Sequence, residues 1–154
     1  MEYLVRDARI TDVDRLLALC VQNGLVPAGG SPLDIIGLLR QLVYIPSASV
    51  AVAEAGHQIV GGAILSLRPS VRVGGFIGTI DVLAIADDPD QVKVADLLIE
   101  EMLRTARRKG CTSVEVALPL DPELLPSWQE HGFTRSTANV YKAAIAPRAS
   151  TSRP

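Results

Sequence analysis

Apolar residues Val13, Leu16, Leu17 and Cys20 recur at the spacing of a helix with one buried face. Thr11-Asp-Val-Asp14 forms a capping box ahead of them, in which the hydroxyl meets an unpaired N–H and the carboxylate reaches back. A helix is therefore expected over residues 12–22. Pro27-Ala-Gly-Gly30 interrupts the chain. Ser31-Pro-Leu-Asp34 opens a second helix, with Pro in its first turn and a second capping box, and Ile35, Leu38, Leu39 and Leu42 carry it to about Tyr44. Tyr3–Arg6, ahead of both, is a short strand candidate.

The period then changes. Ser49–Ala53 and Gln58–Leu67 are rich in Val, Ile and Ala and flank Glu54-Ala-Gly-His57, which predicts a hairpin. Arg68–Gly75 reads as a loop or flared hairpin, and Phe76–Ile85 as a further strand. Helical spacing returns at Val94, Leu97, Leu98, Met102 and Leu103. Val92–Lys109 is thus the longest helix, closed by Gly110 after Arg107, Arg108 and Lys109, cations that suit a helix C-terminus. Thr112–Leu118 is a strand, Asp121-Pro-Glu123 starts a short helix to about His131, and Thr137–Ile145 is a last strand. Hairpins in the middle and one strand–helix–strand crossover define a mixed α/β (α+β) three-layer sandwich. Its centre is a mixed sheet of six to seven strands with helices on both faces.

With 154 residues, 48% apolar and 21% charged, the chain can bury one core, expected over residues 1–145; the polar, proline-bounded residues 146–154 read as a disordered tail. Lys plus Arg number 15 against 17 Asp plus Glu, and a net charge of −2 lacks the basic excess of an unspecific nucleic-acid binder. The apolar, uncharged runs Gln41–Ala53 and Ala55–Leu67 have 13 residues each, short of the roughly 18 that a membrane span needs. With Glu2, Arg6, Asp7 and Arg9 in the first nine residues, no apolar leader segment is expected. Two cysteines, Cys20 and Cys111, are too few for a disulfide scaffold, so a cytoplasmic setting is expected. No His/Cys spacing suits zinc, and no metal is expected.

Val5-Arg-Asp-Ala-Arg-Ile-Thr-Asp-Val-Asp14, Gly56-His-Gln-Ile-Val-Gly61, Leu83-Ala-Ile85 with the following helix Lys93–Gly110, and Trp128-Gln-Glu-His-Gly-Phe133 occur in that order. Together they resemble the GNAT superfamily of acyl-CoA N-acyltransferases across residues 3–145. The resemblance implies that the fourth strand splays from the fifth and that the pantetheine arm of acetyl-CoA lies in the gap. Backbone groups of Leu83, Ala84 and Ile85 would hold the pantetheine and the thioester carbonyl, donors fixed in advance where charge develops. The pyrophosphate would sit on the N-terminus of the next helix. The family's loop, Arg/Gln-x-x-Gly-x-Gly/Ala, falls on Asp90-Gln-Val-Lys-Val-Ala95, so Gln91, Lys93, Val94 and Ala95 are cofactor-binding candidates. Ala95 fits that pattern. Lys93 replaces a glycine that lets backbone approach phosphate, and Asp90 replaces the Arg or Gln. Asp88-Pro-Asp-Gln91 is also a capping box in its own right, so the segment reads equally as a capped helix start. Lys93 offers the phosphate a point charge instead of backbone donors.

The amine nucleophile must lose a proton, which takes a carboxylate or a water chain near the thioester. Asp81 stands where many relatives place an acid, and strand alternation groups it with Thr79 and Leu83. A carboxylate within an apolar strand is costly unless paired, so Asp81 is either the catalytic base or a hydrogen-bonded structural residue. Trp128 occupies the position where many members carry a Tyr that protonates the departing thiolate. An indole N–H donates a hydrogen bond but transfers no proton, so Trp128 reads as a core residue. His57 at the hairpin tip reads as solvated, Cys20 as core, and Arg104, Arg107, Arg108 and Lys109 as a solvated helix face. The activity implied by the resemblance is N-acetyl transfer from acetyl-CoA to a small-molecule or peptide amine by direct attack. Leu25–Ser31, the second helix and the turn before the last strand would wall the acceptor. The alternative is a GNAT-like module that has lost its chemistry and binds a ligand or protein. No nucleic-acid or membrane partner is expected; relatives of this type often pair as homodimers.

Overall fold

The computed structural model describes residues 2–27, 29–117, 121–138 and 140–145; the expected tail, 146–154, lies outside them. Five strands, β1 (Leu4–Asp7), β2 (Ala48–Ala55), β3 (Gln58–Ser70), β4 (Gly75–Ile85) and β5 (Cys111–Val116), form one sheet in chain order. Neighbours are antiparallel except β4 and β5, which run parallel across the helical crossover. Helices α1 (Val13–Gln22) and α2 (Pro32–Tyr44) cover one face, and α3 (Gln91–Arg108) and α4 (Leu125–Glu130) the other. Val13, Leu16, Leu19 and Cys20 of α1 pack on Val50, Val52 and Ile64, while Val94, Leu98, Ile99 and Met102 of α3 pack on Ala53, Ala63, Leu65 and Ile80. No helix among the described residues is long and apolar enough to cross a membrane.

The elements differ from the sequence expectation in four places. The last strand, Thr137–Ile145, is not formed: residues 134–138 and 140–145 are irregular, and Val140, Tyr141 and Ile145 are exposed. Alternating residues do not hold a segment extended without a paired neighbour. The described sheet therefore has five strands rather than six to seven. β3 runs on to Ser70, which narrows the loop expected over Arg68–Gly75 to residues 71–74. The box lies one turn earlier, on a 3-10 turn (Ile10–Asp12) that leads into α1, and uses Arg9 and Asp12, not Thr11 and Asp14: the Arg9 N–H donates to Asp12 Oδ2 at 2.7 Å. Asp12 wins because its carboxylate also takes the Arg6 fork, with Nη1 at 2.8 Å and Nη2 at 3.1 Å, and Arg6 reaches on to Glu54 at 3.2 Å. The Arg6 guanidinium holds the Asp12 carboxyl below the usual carboxylate range against the opposing effect of burial. Ser31 is the N-cap of α2 but makes no side-chain cap bond. Pro32, at the first helical position, has no N–H to satisfy.

The pairing of β3 with β4 is interrupted once. Ile64 pairs with Val82 and Leu65 with Ile80, so Asp81 is an extra residue in β4, a β-bulge. The bulge resets the alternation. Ile80, Leu83 and Ile85 all face α3, while Val82 and Ala84 face α1. Asp81 does not share a face with Leu83, as simple alternation expected; it is exposed at the bulge.

Two adjacent glycines of β3 let both helices approach the sheet. A Cβ on Gly61 would lie 2.9 Å from Val94 Cγ1 and 3.0 Å from Leu98 Cδ1, and one on Gly62 would strike Leu16 Cδ2. Gly37, on the exposed side of α2, meets nothing within 4 Å. We expect Gly61→Ala and Gly62→Ala each to destabilise by about 1–3 kcal/mol through overpacking. Gly37→Ala should stabilise by about 0.4–1 kcal/mol, because the free chain loses freedom. Urea unfolding of the three variants reads both signs, and a neutral Gly62→Ala would show that α1 is not seated tightly.

Candidate functional site: the cleft beside β4

Pairing of β4 with β5 reaches Ile80 opposite Val116 and stops among the described residues, although β4 continues to Ile85. Beside this free length lies a cleft of about 490 Å³. Gln22, Asn23 and Leu25, at and after the end of α1, form one wall, and Leu83 and Ile85 form the floor. Asp87 and Gln91 line it at the start of α3, and Asp121, Leu124 and Trp128 on the side of α4. The site thus gathers the end of one helix, the beginning of another and an edge of β4 that is unpaired among the described residues.

Backbone direction decides which peptide groups face the cleft. The Ala86 N–H donates to the Val60 carbonyl at 2.8 Å, toward β3. Alternation then turns the groups of Ala84 and Val82 toward β3 as well, and those of Leu83 and Ile85 into the cleft. Of the three residues expected to present backbone there, Ala84 is therefore committed to the sheet, where it pairs with Gly62. Ile85 is already engaged: its N–H donates to Asn23 Oδ1 at 3.3 Å, and its carbonyl accepts from Asn23 Nδ2 at 3.1 Å. The N–H and carbonyl of Leu83 are directed into the cleft and meet no partner among the described residues.

The start of α3 is capped from within. Asp88 Oδ1 accepts the Asp90 N–H at 2.7 Å, so this cap turns on Asp90 rather than on Gln91 as the sequence pattern expected. The Gln91 N–H goes to the Asp88 carbonyl at 3.1 Å and the Val94 N–H to the Asp90 carbonyl at 3.0 Å, which leaves Val92 and Lys93 as the open donors of the first turn. Val94 and Ala95 turn their side chains into the core and are fully buried. Asp90 Oδ2 accepts a 2.6 Å hydrogen bond from the Tyr3 hydroxyl, and Lys93 Nζ lies 5.4 Å from the centre of the Tyr3 ring. Two carboxylates and a tyrosine anchored from β1 thus occupy the end of the helix that the resemblance assigns to pyrophosphate.

Asp81 stands on the α1 side, where its charge adds to burial in pushing the Cys20 thiol up to about 11. Cys20 is buried as expected. Trp128 is 3% exposed and meets Phe133 edge to face with ring centres 5.1 Å apart, so it is both a core residue and a wall of the cleft. His131 does not enter the cleft; its Nε2 lies 3.4 Å from Asp96 Oδ1, and it shares with Cys111 a separate groove of about 350 Å³. His57 is exposed at the hairpin turn with φ of 69°. Sequence reasoning missed Tyr3, Asn23, Asp87 and Asp121. Asn23-Gly24 does mark a helix end, but nothing local says that this end lands on Ile85.

No family model and no curated protein sequence matches the chain. Solved structures do. A predicted acetyltransferase with acetyl-CoA from Clostridium acetobutylicum superposes with a TM-score of 0.76 at 13% identity, covering 92% of this chain and 96% of the other. A ribosomal-protein-alanine N-acetyltransferase from Brucella melitensis biovar Abortus 2308 gives 0.73 at 15% identity, over 94% and 100%. A transcriptional regulator from Bacillus halodurans C-125 gives 0.80 at 16% identity, over 94% and 100%. The chain has the fold of the GNAT-type acetyltransferases.

Hydrogen bonding to Asp90, then burial and the Asp88 charge, push the Tyr3 phenol from 10 up to about 12. The folded chain then holds this proton more tightly than the unfolded one, so the contribution is present below pH 10 and lost as pH rises toward 12. In an ultraviolet titration Tyr3 should ionise late, at about pH 12. Asp90→Asn should bring the late step back toward 10; a late step that persists would place its cause elsewhere.

Proposed function

We propose that the chain is an acyl-CoA-dependent N-acyltransferase that moves an acetyl group from acetyl-CoA to an amine. The observation that carries this reading is the Leu83 peptide, whose N–H and carbonyl point into the cleft where β4 leaves β5. An extended pantetheine arm finds there one donor and one acceptor in strand geometry, on an apolar floor. Lys93 and the open N–H groups of Val92 and Lys93 are the groups that fit the phosphates, and they do so beside the charges of Asp88 and Asp90. In the reaction the amine nitrogen attacks the thioester carbonyl, the C–S bond breaks, the thiolate leaves and takes up a proton, and the amine proton passes to a base. Asp81, solvated at the bulge two residues before Leu83, is the proposed base. The acceptor is a small-molecule or peptide amine; Leu25, which lines the cleft, belongs to its proposed wall.

A second reading has its own support. Asp88 and Asp90 at the start of α3 oppose an anion, and Trp128 offers no transferable proton. A GNAT-like module that binds a ligand without turning it over meets both observations.

Acetyl-CoA separates the two. At 100 times its dissociation constant it should stabilise the folded chain by about 2.7 kcal/mol in a thermal scan. Lys93→Ala should weaken binding and flatten its salt dependence. With an amine substrate that supports turnover, Asp81→Asn should lower kcat about 100-fold or more and remove the acidic limb of the pH–rate profile. Absence of any stabilisation by acetyl-CoA would favour the binding module, and unchanged kinetics in Asp81→Asn would remove that residue from the mechanism.

A further inference from the structure

Asn23 has no role in the proposed acyl transfer, yet its side chain occupies the strand edge on which that chemistry depends. It is the C-cap residue of α1, half-buried, and all its bonding capacity on that side is in use. Nδ2 divides its two hydrogens between the carbonyls of Leu19, at 2.8 Å, and Ile85, at 3.1 Å, while Oδ1 accepts the Ile85 N–H. A carboxamide carries the same donor and acceptor as a peptide group. Asn23 therefore stands in, over one residue, for the strand neighbour that β4 lacks beyond Ile80 among the described residues. Ile85 is 3% exposed, so without such a partner its polar groups would be buried unpaired.

We propose that Asn23 is an internal competitor for the cleft: it holds the Ile85 peptide while the cleft is empty and yields it to an amide-bearing occupant extended along β4. This rests on the acyl-CoA reading for the identity of the occupant, since the pantetheine arm supplies the amides. The exchange replaces one amide pair by another, so it costs far less than exposing Ile85 to nothing. Asn23 is placed for it. The backbone N–H of Asn23 is fixed to the Leu19 carbonyl at 3.0 Å, and Gly24 follows with φ of 67°, so the side chain can swing away while the helix end stays closed. Leu83 needs no such exchange. An occupant that pairs only with Leu83 is indifferent to Asn23, whereas one long enough to reach Ile85 must displace it. Asn23 thus sets a threshold on the length of extended amide chain that the cleft accepts.

The test uses the whole chain and the variants Asn23→Ala and Asn23→Ser, the second as a polar truncation that still cannot bridge to Ile85. Amide hydrogen exchange at Ile85, read by NMR without ligand, should be at least tenfold faster in both variants. Acetyl-CoA and free pantetheine should then bind them about fivefold to tenfold more tightly than wild type, the worth of one exchanged hydrogen-bond pair. Unchanged Ile85 exchange overturns the contact itself. Faster exchange with equal or weaker binding overturns the competition and makes Asn23 a fixed cap. Faster exchange with no binding of acetyl-CoA or pantetheine by any of the three proteins overturns the acyl-CoA reading, and the competition with it, while leaving the Asn23–Ile85 contact intact.

Discussion

Asp81, extra between Ile80 and Val82, divides β4 into two halves, and the described pairing with β5 ends at that point. The first half is an interior strand, paired with β3 and β5. Among the described residues the second pairs only with β3, and its other edge faces the cleft. Strand alternation alone would carry the α3 face from Ile80 to Val82 and Ala84. The extra residue carries it to Leu83 and Ile85 instead, so larger side chains fill the space beneath α3. The same phase decides which peptide groups open sideways. Core packing and the polar edge of the site are thus consequences of one added residue.

Around that edge the helices are held close. Gly61 and Gly62 leave no side chain between β3 and the helices on either face, so α3 and α1 seat against backbone. Once seated, their lengths fix where they end, and the end of α1 and the beginning of α3 meet at the cleft. The two ends are finished differently. α1 finishes in a carboxamide that bonds to β4, and α3 begins with carboxylates that satisfy its own first turn and take a hydroxyl from Tyr3. Arg6, between Asp12 and Glu54, ties the start of α1 to the first two strands.

The architecture alone does not select an activity. Closely similar folds are named for a ribosomal-protein-alanine acetyltransferase and for a transcriptional regulator, each at about the same low identity to this chain. Function resides in the site rather than the fold, here in the lining of the cleft and the polarity at the start of α3. In this chain that lining combines an apolar floor with Asp87, Asp121 and three carboxamides, Gln22, Asn23 and Gln91.

Local pattern was enough for all four helices, the five strands of the sheet and the layered arrangement, because helical spacing and strand runs reflect burial on one face at a time. It was enough for Cys20 and Trp128 as core residues. It placed Leu83 and Ile85 on the strand that borders the cleft. Alternation cannot announce a bulge, since an extra residue is stabilised by the partner strand, so the setting of Asp81 and the turning of Ala84 toward β3 were decided only by pairing with Ile64 and Leu65. Capping patterns overstated Thr11, Ser31 and Gln91 because a carboxylate goes to the strongest donors in reach, and for Asp12 those include Arg6, brought there by β1. Thr137–Ile145 has the composition of a strand, and its described residues pair with no strand. Tyr3 lies 87 residues from Asp90, and Asn23 lies 62 residues from Ile85. Contacts at such separations leave no periodic trace in a sequence, and they exist only once the helices are seated on the sheet.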